Sequence, residues 1–231
     1  MNNRNPYGDA IFHNSAPNRN SLRYPNDYQI GSSSRSRNQD NNSDKSNLES
    51  LFWEAAEFIL NYAPTHDISF KTHQLSFLQP GRTFTGSQNL ILDNNNNPAD
   101  KDKWEVKVAI HSINPEQGTI VGLMEALNVP SAATTVITYW EGEIIDFVNF
   151  TMRTKKWSAD SEVDLFHWKM FQPFKHFDPS EENIQSIYEN YIFMRWKEKF
   201  FVNVSPTESG LTIAGFYYIC IRRIDGHIEG N

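Results

Sequence analysis

Apolar and polar side chains alternate along most of the chain after about residue 68. In residues 104–111 every second side chain, from Trp104 to Ile110, is apolar, and Glu105, Lys107 and His111 lie on the opposite face. This two-residue period predicts a β-strand with one face on a core. Runs rich in β-branched and aromatic residues, separated by turn signals such as Pro80-Gly81, predict further strands at residues 119–126, 136–147, 191–202 and 211–223. The pattern therefore predicts an all-β fold, and an antiparallel sheet of this size removes its edges most simply by closing into a barrel.

Two segments follow a helical period instead. Ser46-Asn47-Leu48-Glu49 has the form of a capping box, and the apolar residues from Leu48 to Tyr62 recur at helical spacing until Pro64 ends the pattern. We interpret this amphipathic helix as a lid on its own domain, with docking into a partner's groove as the alternative. Around residues 158–190, a helix start followed by Pro173 and Pro179 predicts an insertion of short helices.

The first 45 residues are dominated by Asn, Ser, Arg and Asp. Burial of so few apolar side chains does not offset the entropy of ordering the chain, so this segment is predicted to be a disordered tail. The organisation that follows is a tail at 1–45, an amphipathic helix and linker at 46–67, and a single β-barrel domain at 68–231.

Composition narrows the compartment and the partners. The single cysteine cannot form an internal disulfide, and the first residues lack a basic segment followed by an apolar run, so we expect a reducing compartment, the cytoplasm and possibly the nucleus. No apolar stretch approaches the roughly 20 residues of a membrane span. A net charge of −7 with scattered basic residues argues against a nucleic-acid partner.

One side chain breaks the pattern of its strand. In residues 194–202 the even-numbered positions other than Glu198 are apolar, and the basic side chains, Arg195 among them, fall on the solvent side, which places Glu198 on the apolar face. A buried carboxylate without a partner costs on the order of several kcal/mol or has a raised pKa. Its partner is either an internal group, such as Arg153, Arg222 or a tyrosine hydroxyl, or the cation of a ligand.

Two other polar residues are candidates for the same interior. Of the adjacent Tyr217 and Tyr218, strand alternation points one inward, where its hydroxyl needs a partner, and we assign Tyr217 to the interior. Gln88 follows Phe84-Thr85-Gly86-Ser87, and its amide can pair with a peptide backbone at the rim of a cavity.

The sequence offers no positive sign of catalysis. Asp160, Glu162, Asp164 and His167 come nearest to a metal cluster, but no second histidine or cysteine completes a zinc set. Cys220 lies among apolar residues, where burial raises the pKa of a thiol and makes it a poor nucleophile. Because glycine-rich phosphate loops and nucleophile motifs are also missing, we expect neither an enzyme nor a bound metal or cofactor.

Five blocks between residues 77 and 230 occur together in an order typical of one family. They are Phe84-Thr85-Gly86-Ser87-Gln88, Trp140-Glu141-Gly142-Glu143-Ile144-Ile145, Lys156-Trp157 with Asp164 and His167-Trp168, Phe193-Met194-Arg195-Trp196-Lys197-Glu198-Lys199-Phe200, and Ala214-Gly215-Phe216-Tyr217-Tyr218-Ile219-Cys220. In these blocks the chain resembles the vacuolar import and degradation domain, the substrate receptor of the GID/CTLH ubiquitin ligase.

The resemblance implies an eight-stranded antiparallel barrel that binds proteins with a free N-terminal proline, or another small or apolar first residue, and presents them for ubiquitylation. It implies a scaffold subunit of the ligase as a second partner. The family's contacts to the substrate amine fall on Glu198 and Tyr217, and its contact to the peptide backbone falls on Gln88. The pocket for the first side chain is expected to be formed by Val106, Met124, Ala126, Val129, Val136 and Tyr139, with Thr212 and Ile213 on a mobile loop.

The sequence departs from the family at two places. Family members continue after Ile-Glu-Gly with a tyrosine-rich strand that completes the barrel, whereas Asn231 follows Gly230 here. The last strand is thus expected to be missing, which leaves the barrel open or requires another source for the strand. Leu127-Asn128-Val129 replaces the usual Lys-Gly-Leu, which implies a different pocket shape.

Two other functions fit the same sequence. In a lipocalin-like carrier, the barrel holds a small apolar molecule and Glu198 is neutral or internally paired. In a scaffold or regulator, an open barrel edge pairs with a strand of another protein.

Overall fold

The described residues form a closed β-barrel of eight strands. The computed structural model describes residues 9–13 by their backbone, and residues 58–62, 77–89, 103–129, 132–175, 180–209 and 211–231. The strands are β1 (Asp9–His13), β2 (Thr83–Asn89), β3 (Lys103–Asn114), β4 (Thr119–Leu127), β5 (Val136–Ile144), β6 (Tyr191–Phe201), β7 (Tyr217–Arg222) and β8 (Ile228–Gly230). They pair in chain order around the barrel, and seven of them, β2 to β8, run antiparallel to one another. The predicted all-β barrel is confirmed.

The strand β1 was not predicted. It lies parallel to both of its neighbours, with Ala10 opposite Gly86 of β2 and Ile228 of β8. The prediction of a disordered tail at 1–45 is therefore wrong at these five residues, and the rest of the tail lies outside the described residues. The strand β1 takes the place between β8 and β2 where the barrel was expected to be open. Its Ala-Ile-Phe run is too short to alter the polar composition of the tail, but it gains hydrogen-bond ladders on two sides.

Aromatic side chains fill the barrel interior. Trp140 of β5 stacks on Trp196 of β6 with ring centroids 4.3 Å apart, and both side chains are fully buried. The stack requires Gly142, because a Cβ at that position would lie 2.6 Å from the Trp196 ring. The alternation read from the sequence places the remaining core residues, which include Phe84, Val106, Val108, Ile110, Ile120, Met194 and Ile219.

A helical layer covers the outer face of β6 and β7. It consists of α1 (helical at residues 58–61), α2 (Ser161–Met170), a 3₁₀ turn (Gln172–Phe174) and α3 (Glu181–Asn190). The Asp160 carboxylate caps α2 by accepting from the backbone N–H groups of residues 162 and 163. Of the described residues, no helix is long and apolar enough to cross a membrane.

The described end of α1 packs on its own domain. Ile59 and Leu60 are buried in the outer hydrophobic cluster, and the Tyr62 ring stacks on Tyr188 of α3 at 5.4 Å. This agrees with the interpretation of the helix as a lid. Residues 46–57 lie outside the described residues.

A β-bulge in β6 corrects the predicted pattern of this strand. Trp140 is opposite Glu198 and Tyr139 is opposite Phe200, so Lys199 is an extra residue. Beyond it the two faces exchange: Phe200 and Val202, predicted to be inward, are 54% and 51% exposed. Residues 211–216, predicted to belong to a strand, have no regular secondary structure, and β7 begins only at Tyr217. A short helix, α4 (Pro206–Ser209), precedes them.

Candidate functional site

A cavity of about 120 Å³ lies within the barrel. One water needs roughly 10–15 Å³ by the same measure, so the cavity has room for a group of several non-hydrogen atoms. Its lining is mainly apolar with a few polar groups, which is typical of ligand sites. The lining residues are Gln88, Trp104, Met124, Ala126, Val136, Thr138, Glu198, Phe201, Leu211, Thr212, Ile213 and Tyr217.

Glu198 is the centre of the polar groups in this cavity. The Thr138 hydroxyl donates a short hydrogen bond to Glu198 Oε1, and the Tyr217 hydroxyl donates to Glu198 Oε2 at 3.0 Å. The Gln88 amide Nε2 donates to the Tyr217 hydroxyl at 3.4 Å. The structure thus brings together the three polar residues that the sequence singled out.

Neighbouring strands place these groups by their register. Glu198 of β6 is opposite Trp140 of β5. Trp140 is two residues after Thr138 in the same strand, so Thr138 and Glu198 lie on the same face of the sheet. Tyr217 of β7 is opposite Trp196 of β6. Trp196 is two residues before Glu198 in the same strand, so Tyr217 and Glu198 both face the barrel interior. Inward-pointing positions on adjacent strands lie close enough for their side chains to meet.

The carboxylate of Glu198 has no cationic partner among the described residues. No lysine, arginine or histidine nitrogen of those residues lies within 4 Å of it, although Glu198 is largely buried and only partly open to the cavity. The two arginines considered as partners bond elsewhere: Arg153 to Asn61 and Ser161, and Arg222 to Asp225. The internal partners of Glu198 are instead two hydroxyl groups, those of Thr138 and Tyr217. A tyrosine hydroxyl was one of the partners considered from the sequence.

Burial raises the pKa of Glu198 above its ordinary value, while the hydrogen bonds from Thr138 and Tyr217 and the charge of Lys197 act in the opposite direction. Burial, together with the charge of Glu198, raises the pKa of Tyr217 well above its usual value, so this phenol is neutral and acts as a donor. The site is therefore a carboxylate held by two neutral donors, with no ion pair to any of the described residues.

Most of the predicted pocket residues lie where they were expected. Met124, Ala126, Val136, Thr212 and Ile213 line the cavity. Val106 and Val129 are not among the residues that line the cavity. Both pack in the barrel core instead.

The prediction for Tyr139 is wrong. Since Thr138 points inward, strand alternation turns Tyr139 outward, where its ring stacks on Phe200 at 5.0 Å. Thr138 itself was missed, although the alternation of Val136, Thr138 and Trp140 puts it on the inner face. Trp104, Phe201 and Leu211 were also missed, and for Phe201 the reason is the bulge at Lys199.

A second polar group lies outside the barrel, beneath the helical layer. This outer polar cluster consists of Glu143, Thr154, Lys156, Asp164, Arg195 and Tyr218. Arg195 was predicted to face solvent but is only 1% exposed, because the segment around residues 151–154 covers it. Its guanidinium lies 3.0 Å from Glu143 Oε2, and Lys156 also bonds to Glu143. Tyr218 donates to Asp164 at 2.7 Å.

The residues weighed for metal or covalent chemistry have structural contacts. Asp164 accepts bonds from Thr154 and Tyr218, and His167 Nδ1 lies 2.6 Å from Asn231 Oδ1. Within the described ranges no three His, Cys, Asp or Glu residues are grouped to hold a metal ion. Cys220 is buried, and burial raises the pKa of its thiol well above the usual value.

The fold and the cavity together define a β-barrel with an internal cavity and an ionisable group in its wall. Residues 77–231 match the family model described as "Vacuolar import and degradation protein". The chain belongs to this family.

Three curated relatives are similar to the chain. Two are named GID complex substrate-recognition subunit 10. The protein of Schizosaccharomyces pombe is 34% identical over 56% of this chain and 26% of its own length. The protein of Saccharomyces cerevisiae is 26% identical over 68% of this chain and 63% of its own length. The mouse glucose-induced degradation protein 4 homolog is 32% identical over 67% of this chain and 70% of its length. The matches thus span only part of these relatives, about a quarter of the fission yeast protein.

Proposed function

We propose that this protein is the substrate-recognition subunit of a GID-type ubiquitin ligase. Its cavity binds the free N-terminus of a protein that begins with proline or a similar small or apolar residue, and presents that protein for ubiquitylation and degradation in the cytoplasm or nucleus. The protein contributes recognition and no catalysis, and a scaffold subunit of the ligase is its second partner. The names of the relatives support the ligase role.

One observation carries the choice of ligand: Glu198 is a largely buried carboxylate without a cation among the described residues. A protein N-terminus supplies that cation. An N-terminal proline has a secondary ammonium with two N–H donors and a compact apolar ring, so it can bond to the carboxylate while the ring contacts the apolar lining.

The neighbouring groups complement the rest of such a ligand. Tyr217 holds one carboxylate oxygen and lies beside the position of the amine. Gln88 donates to Tyr217, and its amide oxygen is an acceptor suited to the first backbone N–H of a peptide. Acetylation removes the ammonium and leaves Glu198 buried without a counter-ion, at a cost of about 2–5 kcal/mol. That difference is the proposed basis of selectivity for a free N-terminus.

The test is a calorimetric titration of the protein with a short peptide that begins with free proline. The same peptide acetylated at its N-terminus and a variant beginning with aspartate are the matched controls. We expect affinity in the micromolar range, about 8 kcal/mol, for the free proline peptide alone. Equal binding of the acetylated peptide, or no binding of any of the three, would falsify the proposed ligand.

The ligase role requires a separate experiment. The protein is expressed with the scaffold subunit of a GID complex, and the two are purified through a tag on the scaffold. We expect co-purification, and we expect a proline-initiated substrate to be ubiquitylated only when both are present. If the peptide binds but the scaffold does not, the receptor function stands and the assignment to this ligase fails.

A further inference from the structure

The wall segment, residues 211–216, forms one side of the cavity without belonging to the sheet. Leu211, Thr212 and Ile213 line the cavity, yet the segment has no regular secondary structure between α4 and β7. Strand ladders hold the other walls of the barrel in place, so this wall depends on other contacts for its position.

Lys197 makes those contacts from the neighbouring strand. Its Nζ donates to three consecutive carbonyl oxygens of the wall segment: that of Ile213, that of Ala214 at 2.9 Å and that of Gly215 at 2.7 Å. An ammonium group has three N–H donors, so the wall segment engages all of them. Lys197 is adjacent in β6 to Glu198, but strand alternation sends the two side chains to opposite faces.

The last residue of the wall segment has a second support. The Phe216 ring contacts Trp157 with centroids 4.8 Å apart. Trp157 has a left-handed backbone, with φ of 55°, as do Lys155 and Ser158 on either side of this short loop. Lys156, within the loop, bonds to Glu143 of the outer polar cluster, which fixes the loop to the barrel. The wall segment is therefore held from outside the barrel over residues 213–216.

We propose that Lys197 is a positioning residue that latches the wall segment over the cavity and so sets how long a bound N-terminal peptide is retained. The inference rests on the proposed function for its ligand. With the latch in place, Leu211, Thr212 and Ile213 are ordered before the peptide arrives, and binding does not have to order them. Without the latch, the bound wall opens more often, and the peptide dissociates faster.

The variant K197M tests the latch, and K199M is its matched control. Both remove one lysine charge from β6, but Lys199 is half-exposed and pairs with Glu141 at 3.2 Å, away from the wall segment. Loss of the Lys197 charge removes a repulsion of a cationic N-terminus, but it also removes a charge that lowers the pKa of Glu198, so its electrostatic effect has two opposing parts. K197R keeps the charge and therefore separates the electrostatic effect of Lys197 from its hydrogen bonds.

The first readout is the dissociation rate of the proline-initiated peptide from immobilised protein. We expect K197M to raise this rate about tenfold with a small change in the association rate, and K199M to change it less than about twofold. K197R, which keeps several N–H donors, is expected to lie between K197M and the unsubstituted protein. Equal dissociation rates for K197M and K199M overturn the proposal.

The second readout needs no peptide. Methyl order parameters of Leu211 and Ile213, measured by NMR on the unliganded protein, report the motion of the wall segment on the ps–ns timescale. We expect lower order parameters in K197M and unchanged ones in K199M. If the unsubstituted protein binds no peptide, the proposed function fails. The order parameters still show whether Lys197 orders the wall segment. If K197M leaves the methyl groups as ordered as before, the latch fails even where peptide binding holds.

Discussion

Two carboxylates on neighbouring strands, buried Glu143 and half-buried Glu198, have opposite surroundings. Glu143 of β5 points out of the barrel, where it pairs with Arg195 at 3.0 Å and with Lys156. Glu198 of β6 points into the cavity, where two hydroxyl groups donate to it and no described cation lies within 4 Å. Burial lowers the pKa of Arg195 only to about 10, so this guanidinium is charged at neutral pH and balances Glu143.

Under the proposed function, this difference separates a carboxylate that serves the fold from one that serves a ligand. The protein itself supplies cations to Glu143. It holds Glu198 in place with neutral donors, and we propose that a bound N-terminus supplies the cation, an arrangement with a cost in stability that a purely structural site does not need.

The largest expected effect is on the outer carboxylate. E143Q leaves the buried Arg195 without its counter-ion, and we expect a loss of about 3–5 kcal/mol in the free energy of unfolding, measured by urea denaturation. Peptide affinity, measured on the folded fraction, is expected to stay within about twofold of the unsubstituted protein. A fully stable E143Q variant would show that the outer ion pair does not support the fold.

E198Q is expected to have the reverse pattern. The loss of the carboxylate removes the partner of the ammonium, so the affinity for a free proline peptide falls by about 2–5 kcal/mol, that is, by more than thirtyfold. The pKa of Glu198 is raised in the folded state, so the carboxyl group holds its proton more tightly in the folded protein than in the unfolded chain. The ionised form of Glu198 therefore destabilises the fold once the pH rises through the raised pKa. At neutral pH, E198Q is therefore expected to unfold at the same urea concentration as the unsubstituted protein or at a higher one. If E198Q binds the free proline peptide with unchanged affinity, Glu198 is not the partner of the ammonium.

The adjacent tyrosines test the two regions with the same chemical change. Y217F removes the donor to Glu198 and is expected to weaken peptide binding by about 1.5–3 kcal/mol. Y218F removes the donor to buried Asp164 and is expected to lower stability without changing affinity. Calorimetric titration and urea denaturation of both variants give the comparison, and equal losses of affinity would count against it.

The smallest effect is expected from Thr138. Its hydroxyl stabilises the ionised form of Glu198, so T138V should raise the pKa of Glu198 further. Because the ammonium binds only the ionised carboxylate, affinity decreases as the pH falls through this pKa. We expect the decrease to begin at a higher pH in T138V, with a loss of only a few-fold at neutral pH, and T138S to restore the original profile. Identical pH profiles for T138V and the unsubstituted protein would assign Thr138 a packing role.

Strand alternation was sufficient to find the key residue of the site but not its surroundings. Glu198 was found because a carboxylate on an apolar face is rare and costly. The same rule placed Arg195 in solvent, since a single strand's pattern cannot show that a helical insertion from elsewhere in the chain will cover its outer face.

Local irregularities account for the other errors. The bulge at Lys199 exchanges the faces of the strand, so Phe200 and Phe201 lie opposite to their predicted sides, and no residue pattern marks it. Tyr139 was assigned to the pocket by resemblance alone, against the alternation that also points Thr138 inward. Residues 211–216 have the composition of a strand but are held by a lysine and an aromatic contact instead.

The parallel strand β1 has a consequence for the order of folding. It pairs residues near 10 with residues near 228, so barrel closure joins segments separated by nearly all of the intervening chain. Contacts of such sequence separation form slowly, because the loop entropy must be lost before the ladder bonds form. During synthesis β1 and β2 leave the ribosome long before β8, so the second edge of β1 stays unpaired until β8 has been made. We therefore expect closure of the barrel to be the last step of folding, and the nascent chain to depend on chaperones until that step.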